Sequence, residues 1–527
     1  AAESVCKMES DSSGARGDDI LDLLERLINK SIVIKEETSQ DTRYRMLETM
    51  RQYANEKLFE SNESDRLRDR HLEYFLNLAE SAEPHLIRPE QLEWLAKLDA
   101  DYENLRRALE WALGKESAEF SLRLCAALGA YWFIRTYWLE GSNWLKSALS
   151  KTAENSNPLE KAARVKALYR DADLADQLDD IEHMRNSAEL SLSLAQEGSD
   201  EREIAIARFM VANRLYRDRE NEEAHALLEQ CYNEFQTLHD LFWQFRSYIL
   251  LSDIRVTQGK LKPSERIAQA YELARKGGER LMLVDALIHS SEWSYILGRL
   301  DEAIRYAREA DILIQPIGFS LNPTSFLFAE LAWLKGNYEE AKSRYLEMQE
   351  RFGLIGEKNT RSAIIASLGL LEMEQGNLTQ AQSHFEEALS TAREIGSKDF
   401  IVRRLAELGI AFYLQGDIGK CRQNLREGVL LIKGLSLIHK RYVLLLMGNF
   451  ISIQASEILA KILGALAHSE RESDLPITPL NKRYYDHAEA KAREKLGDTA
   501  FEYAFAEGQK MSLDEALDLA LHVVEEL

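Results

Sequence analysis

Two segments forty residues apart, WLKGNYEEAKSRY from Trp333 and MEQGNLTQAQSHF from Met373, share a Gly-Asn pair with Ala five places after the glycine. A pattern that returns at a fixed period of this length marks one supersecondary unit stacked on the next, which constrains the fold more tightly than any composition does. With that glycine as an anchor, matching turns fall at Arg219, Gly259, Gly298, Gly336, Gly376 and Gly416, spaced by 40, 39, 38, 40 and 40 residues. Two degenerate copies precede them at Thr136 and Asp179. Each anchor separates two apolar-periodic segments of about fifteen residues, the pattern of a helix–turn–helix pair whose first helix ends at a glycine or its substitute.

The register has a physical test. Two helices of a pair can approach closely only where side chains are small. Seven residues before the anchors stand Gly129, Ala172, Ala212, Ser252, Ser291, Ala329, Gly369 and Gly409, all small. Five after them stand Gly141, Met184, Ala224, Ser264, Ala303, Ala341, Ala381 and Cys421, of which only Met184 is large.

Only 8 prolines and 26 glycines interrupt 527 residues, so the chain reads as almost wholly helical. A repeat array can run this long as one body, because each repeat needs only its neighbours. The net charge of −22, with no segregated basic run, argues against direct contact with nucleic acid. Cys6, Cys125, Cys231 and Cys421 are far apart, without a Cys-x-x-Cys pair, and fit a reducing cytoplasm. The longest uncharged run, residues 442–456, is too short and too polar to span a bilayer and reads as a buried helix pair. The opening AAESVC has neither an initiator Met nor a signal peptide and looks like the middle of a helix, so a fragment of a longer protein is expected.

The small residue in the first helix, the turn glycine, and an Ala followed by an aromatic, as in Ala381 with Phe385 and Ala341 with Tyr345, resemble the tetratricopeptide repeat, stretched here to a period near 40. The ends carry a second resemblance. LLERLINKSIVIKEE, RYRMLETMRQYANEKL, RDRHLEYFLNLAE and LDADYENLRRALEWAL succeed one another, and REKLGDTAFEYAFAEGQKMSLDEALDLAL closes the chain. This succession is similar to that of bacterial signal-transduction ATPases with numerous domains (STAND proteins), notably LuxR-type and MalT-like regulators. The resemblance implies a winged helix belonging to a nucleotide switch, followed by helical repeats that sense an inducer.

The phosphate-binding loop of such a switch is absent. Gly114-Lys115, Gly259-Lys260 and Gly419-Lys420 each lack the upstream Gly and the following Ser or Thr. No metalloprotease, nucleophile-elbow or clustered Cys/His motif occurs either, so no cofactor is expected. Single histidines such as His289 and His384 read as ordinary packing or surface residues. The expectation is a non-catalytic sensor, with its nucleotide-binding module N-terminal to this chain and an inducer, peptide or protein in its concave groove. The alternative is a protein-binding scaffold, for example a sensor of foreign proteins in antiphage defence.

The expected fold is all-α: a partial winged helix over residues 1–62, a helical connector over 63–115, eight helix pairs in a right-handed superhelix over 116–440, and a helical cap over 441–527. A polar turn is expected near Gln40. Ser512, three before Glu515, forms a capping box that should open a last helix. The cluster of Tyr131, Trp132, Phe133, Tyr137, Trp138 and Trp144 is expected to seal the open end of the solenoid, with an aromatic cage as the rival reading.

Residues six and three before the anchors lie on one stripe of each first helix, and that stripe should face the groove. It interleaves carboxylates and amides with rings: Asp173, Asn213, Tyr216, Asp253, Glu292, Tyr295, Glu330 and Trp333. Such a mixture suits a sugar, a basic peptide or another polyhydroxy or cationic molecule.

Overall fold

The computed structural model describes residues 1–6, 18–37, 42–152, 157–198, 200–318, 324–355, 357–432, 435–451, 455–473 and 475–526. Among them, 27 α-helices, two single 3-10 turns and one antiparallel hairpin make up the regular structure. The chain is a tetratricopeptide-like solenoid of eight helix pairs. Pairs one to four are Glu119–Ile134 with Trp138–Leu149, Pro158–Gln177 with Ile181–Gln196, Glu201–Arg217 with Asn221–Thr237, and Leu241–Thr257 with Pro263–Gly277. Pairs five to eight are Arg280–Ile296 with Leu300–Ile314, Ser325–Leu334 with Tyr338–Ile355, Asn359–Glu374 with Leu378–Ile395, and Lys398–Leu414 with Ile418–Leu431.

The anchors work as their positions imply. The backbone is left-handed at all eight, with φ of 57° at Thr136, 56° at Asp179, 66° at Arg219 and 69° to 84° at the five glycines. The amide after each anchor donates to the carbonyl four before it, from Tyr137 to Trp132 at 2.9 Å through Asp417 to Phe412 at 2.9 Å. This is the Schellman closure, which satisfies carbonyls the helix end would otherwise orphan. The close approach is equally literal. A Cβ on Gly369 would stand 2.7 Å from the Phe385 ring, and one on Gly409 would stand 2.9 Å from Leu425, each on the partner helix.

Pair four departs from the pattern. Ser264, expected at a close-approach position, is exposed. The second helix here begins four residues after its anchor, at Pro263, where the other seven begin two after theirs. The longer turn rotates the helix, and Arg266 takes the buried place with no side-chain exposure. Its guanidinium meets Asp253 at 2.8 Å and stacks over the Trp293 ring, 5.3 Å from the centroid.

The superhelix closes on itself after five pairs. Asp179, in the turn of pair two, accepts the backbone N–H of Asn359 at the start of pair seven at 2.9 Å, and the Asn359 side-chain amide as well. Arg219, in the turn of pair three, is paired with Asp399 at the start of pair eight. Arg135, in the turn of pair one, reaches Gly318 ahead of pair six. The anchors that lack glycine are therefore those on the closing seam. Each accepts left-handed strain of roughly 1–2 kcal/mol, and at Asp179 and Arg219 the side chain that glycine could not supply makes the contact.

Before the solenoid come the helix Asp18–Asn29, a hairpin of Val33–Glu37 with Thr42–Met46, and the helix Glu48–Glu60. The polar turn expected near Gln40 lies outside the described residues. Helices Ser64–Ala82, Gln91–Ala100 and Tyr102–Gly114 then cover pair one. Two members of the aromatic cluster pack into this cover, the Trp132 indole donating to the Tyr102 hydroxyl at 2.9 Å and the Tyr131 hydroxyl to Asp99 at 2.9 Å, whereas Phe133 and Trp138 face the interior cavities.

After the solenoid come helices Leu437–Ile451, Ser456–Ser473, Pro479–Leu496, Asp498–Gly508 and Leu513–Glu526. Residues 442–448 are buried as expected, while residues 452–454 lie outside the described residues. Two of these helices cross backbone to backbone, since a Cβ on Gly508 would fall 1.9 Å from the Lys461 carbonyl oxygen. The Ser512 capping box is formed, with the Glu515 amide donating to the Ser512 hydroxyl and the Ser512 amide to the Glu515 carboxylate at 3.2 and 2.7 Å.

Candidate functional site

Closure turns an open groove into a lumen, walled largely by first helices. It holds two cavities, of about 320 and 690 Å³, that share Asp176, Gln177 and Ile288 in their walls.

The smaller cavity is aromatic, with Phe133, Phe209, Phe242 and Phe245 around Arg246. The Arg246 guanidinium packs over the rings of Phe133, Phe209 and Trp243, 5.0 to 5.6 Å from their centroids, and is paired with buried Asp173 at 2.9 Å. Asn213 also lines this cavity and donates to Asp176 at 3.0 Å. His289, read from sequence as an ordinary residue, stands in the same wall between Asp285 at 3.6 Å and Glu292 at 3.3 Å. Burial alone would lower its pKa, but the two carboxylates outweigh that and hold it up at about 9. It is a fixed cation at neutral pH.

The larger cavity lies against pair six, whose inner helix is short. Ser325–Leu334 has 10 residues, against 17 and 16 in the first helices of pairs five and seven. The difference is nearly two turns, and Met348 and Phe352 of the outer helix line the wall. Glu292, Tyr295 and Glu330 face this space together with Trp138, Phe326 and Phe400. Burial pushes the Glu330 carboxyl up to about 7, against the opposing pull of Tyr295 and the charge of Arg403. At the seam edge, Glu357 caps pair seven by accepting the Thr360 amide at 2.9 Å. Burial and then the charge of Asp179 push Glu357 up to about 8. Arg217 pairs with both Asp176 and Asp179 there.

Of the eight stripe residues, Asn213, Glu292, Tyr295 and Glu330 reach the cavities. The other four hold the wall. Asp173 anchors Arg246, Asp253 neutralises buried Arg266, and the Tyr216 hydroxyl approaches Asp253 at 3.4 Å. Trp333 is 1% exposed, with its indole donating to Glu374 at 2.9 Å, so it offers no free ring face. Arg246, His289, Glu357 and Asn359 were missed. Arg246 and Asp285 lie seven residues before Asp253 and Glu292, so carrying the same stripe two turns further would have found them. Glu357 and Asn359 sit at a helix junction that no stripe marks.

Among the described residues no group of three or more His, Cys, Asp or Glu side chains is arranged to hold a metal, and no helix is long and apolar enough to cross a membrane.

Fold and lumen together define a tetratricopeptide-like repeat solenoid. No family model matches the chain. Over 159 residues it is 34% identical to predicted HTH-type transcriptional regulators of Mycobacterium tuberculosis and Mycobacterium bovis. That match covers 30% of this chain and spans only 18% of the length of those relatives. In structure the chain is similar to a Rap protein solved with competence and sporulation factor, at 12% identity and a TM-score of 0.47, over 65% of this chain and 96% of that one. It is also similar to a STAND protein with a tetratricopeptide repeat sensor from Pyrococcus horikoshii, at 14% identity and a TM-score of 0.26, over 95% of this chain and 60% of that one.

Proposed function

We propose that this chain is the non-catalytic sensor region of a larger STAND-type transcriptional regulator, and that its effector binds inside the lumen. The observation that carries the reading is the lumen itself, a half-open and partly polar space walled largely by first helices. Closure also gives the effector something to control. A ligand that prefers the closed seam draws pairs one to three towards pairs six to eight, and can shift the equilibrium only by its differential affinity for the two states. Pair one is packed against the N-terminal helices, so the change is delivered towards a nucleotide-binding module outside this chain. The organisation is an N-terminal helix–hairpin–helix segment to residue 62, a connector to 115, the solenoid to 440 and a cap beyond. Asn213, Glu292, Tyr295 and Glu330 contact the effector, while Asp173, Tyr216, Asp253 and Trp333 brace the wall.

The test is a thermal-shift screen of metabolites and short peptides, repeated on Ile288→Trp, which fills the neck between the two cavities. Effectors should lose their shift in the variant. Hits that bind the variant unchanged would place recognition elsewhere and refute the lumen.

A further inference from the structure

The larger cavity carries a charge imbalance that the fold leaves open. Five carboxyl groups line it, from Asp176, Asp179, Glu292, Glu330 and Glu357, against the single guanidinium of Arg217. Four of the five are accounted for. Arg217 serves Asp176 and Asp179, His289 serves Glu292, and Glu357 caps the helix of pair seven. Like Glu357, Glu330 has no lysine, arginine or histidine within ion-pair distance among the described residues, and unlike Glu357 it accepts no backbone amide among them. Arg403 acts on it only from further off, and is stacked over the Tyr442 ring at 4.3 Å.

A second feature stands beside it. The Tyr295 side chain is 7% exposed and lines the cavity, and its hydroxyl stands beside the Glu330 carboxyl without meeting strict hydrogen-bond geometry. The two groups together offer a polar corner that an incoming donor can complete. Around this pair stand Trp138, Phe326, Phe352 and Phe400. Ring faces beside one carboxylate are the general recipe for holding an organic cation, the rings attracting it through their quadrupoles and the carboxylate through its charge.

Resting on the sensor reading above, we infer that the larger cavity takes an organic cation, an ammonium or guanidinium on an apolar stem, seated between Glu330, Tyr295 and the aromatic wall. A sugar would leave the uncompensated carboxyl buried; a cation removes that cost. The Glu330 carboxyl, held near neutrality by burial, ionises as the cation arrives, so binding at pH 7 releases protons. The cation comes either as a free amine or as a basic side chain of a peptide.

The experiment is isothermal titration of the full chain with n-butylguanidinium and with its neutral isostere n-butylurea, in two buffers of different ionisation enthalpy. A parallel arm uses acetyl-Leu-Arg-Leu-amide against its citrulline counterpart, which separates the two sources. The guanidinium members should bind at least tenfold tighter than the ureas and release protons. Glu330→Gln, which removes charge without changing shape, should abolish both differences, and Phe400→Leu should weaken the cations alone. Equal binding of charged and neutral probes, or unchanged cation affinity in Glu330→Gln, overturns the inference. A neutral effector lost on Ile288→Trp would keep the sensor reading while excluding the cation.

Discussion

Asp253→Ala should destabilise the solenoid although the Asp253 side chain is only partly buried, because its partner is fully buried. Arg266 has no side-chain exposure, and among the described residues its one ion pair is with Asp253 at 2.8 Å, whose own side chain is 20% exposed. A surface pair of this kind contributes about 0–1 kcal/mol. Removing one member of a buried pair instead leaves an uncompensated charge, at about 3–5 kcal/mol. The exposure of Asp253 lets water reach the vacated site, and the Trp293 ring continues to hold the guanidinium, so the low end, about 3 kcal/mol, is expected. Repeat arrays need not unfold in one step, so the assay is native-state hydrogen exchange over Leu241–Thr257 and Pro263–Gly277. Their opening free energies should fall by that amount, while Lys398–Leu414 stays unchanged. Asp253→Ala with Arg266→Met should recover most of the loss, since no buried charge remains. A single-variant loss below about 1 kcal/mol, or a double variant no better than the single, would refute the reasoning.

Three further expectations follow from the same geometry. Gly369→Val should cost more than about 2 kcal/mol by overpacking against Phe385. Gly376→Ala should cost only about 1 kcal/mol of left-handed strain, because nothing lies within 4 Å of its new methyl; equal losses in urea unfolding would dismiss the close-approach argument. Asp179→Gly relieves backbone strain yet opens the seam, so small-angle scattering should report a larger radius of gyration, with faster exchange at the first turn of Asn359–Glu374; a more compact variant contradicts the closure. Glu279 and Glu330 are raised to about 7, Glu357 to about 8 and His289 to about 9, each above its unfolded value. The folded state therefore holds more protons than the unfolded one between pH 6.5 and about 8.5, and stability falls as pH rises through that window. The melting temperature should drop between pH 6.5 and 8.5, and Glu279→Gln with Glu330→Gln should flatten the slope; a rise over this window would contradict the assignment.

The features legible in the sequence are those a single repeat decides alone. A left-handed residue ends each first helix, and the position seven before it must be small, so even Thr136, Asp179 and Arg219 could be recognised as anchors without glycine. The Ser512 box was legible for the same reason, since its partners are three residues apart. Only four of the eight stripe residues line the cavities, because helical period says which residues share a face but not what the face meets. Trp333 and Glu330 lie three residues apart on one stripe, and only the second reaches the lumen. What tertiary structure alone decided is the closure after five pairs. The small rotation from each pair to the next accumulates along the array, and no one repeat encodes where the sum brings Asp179 to Asn359 or Arg219 to Asp399. The two extra residues before Pro263 illustrate the same limit. They turn one helix, place Arg266 where a small residue belongs, and convert Asp253 from a group offered to a ligand into the counter-charge of a buried guanidinium.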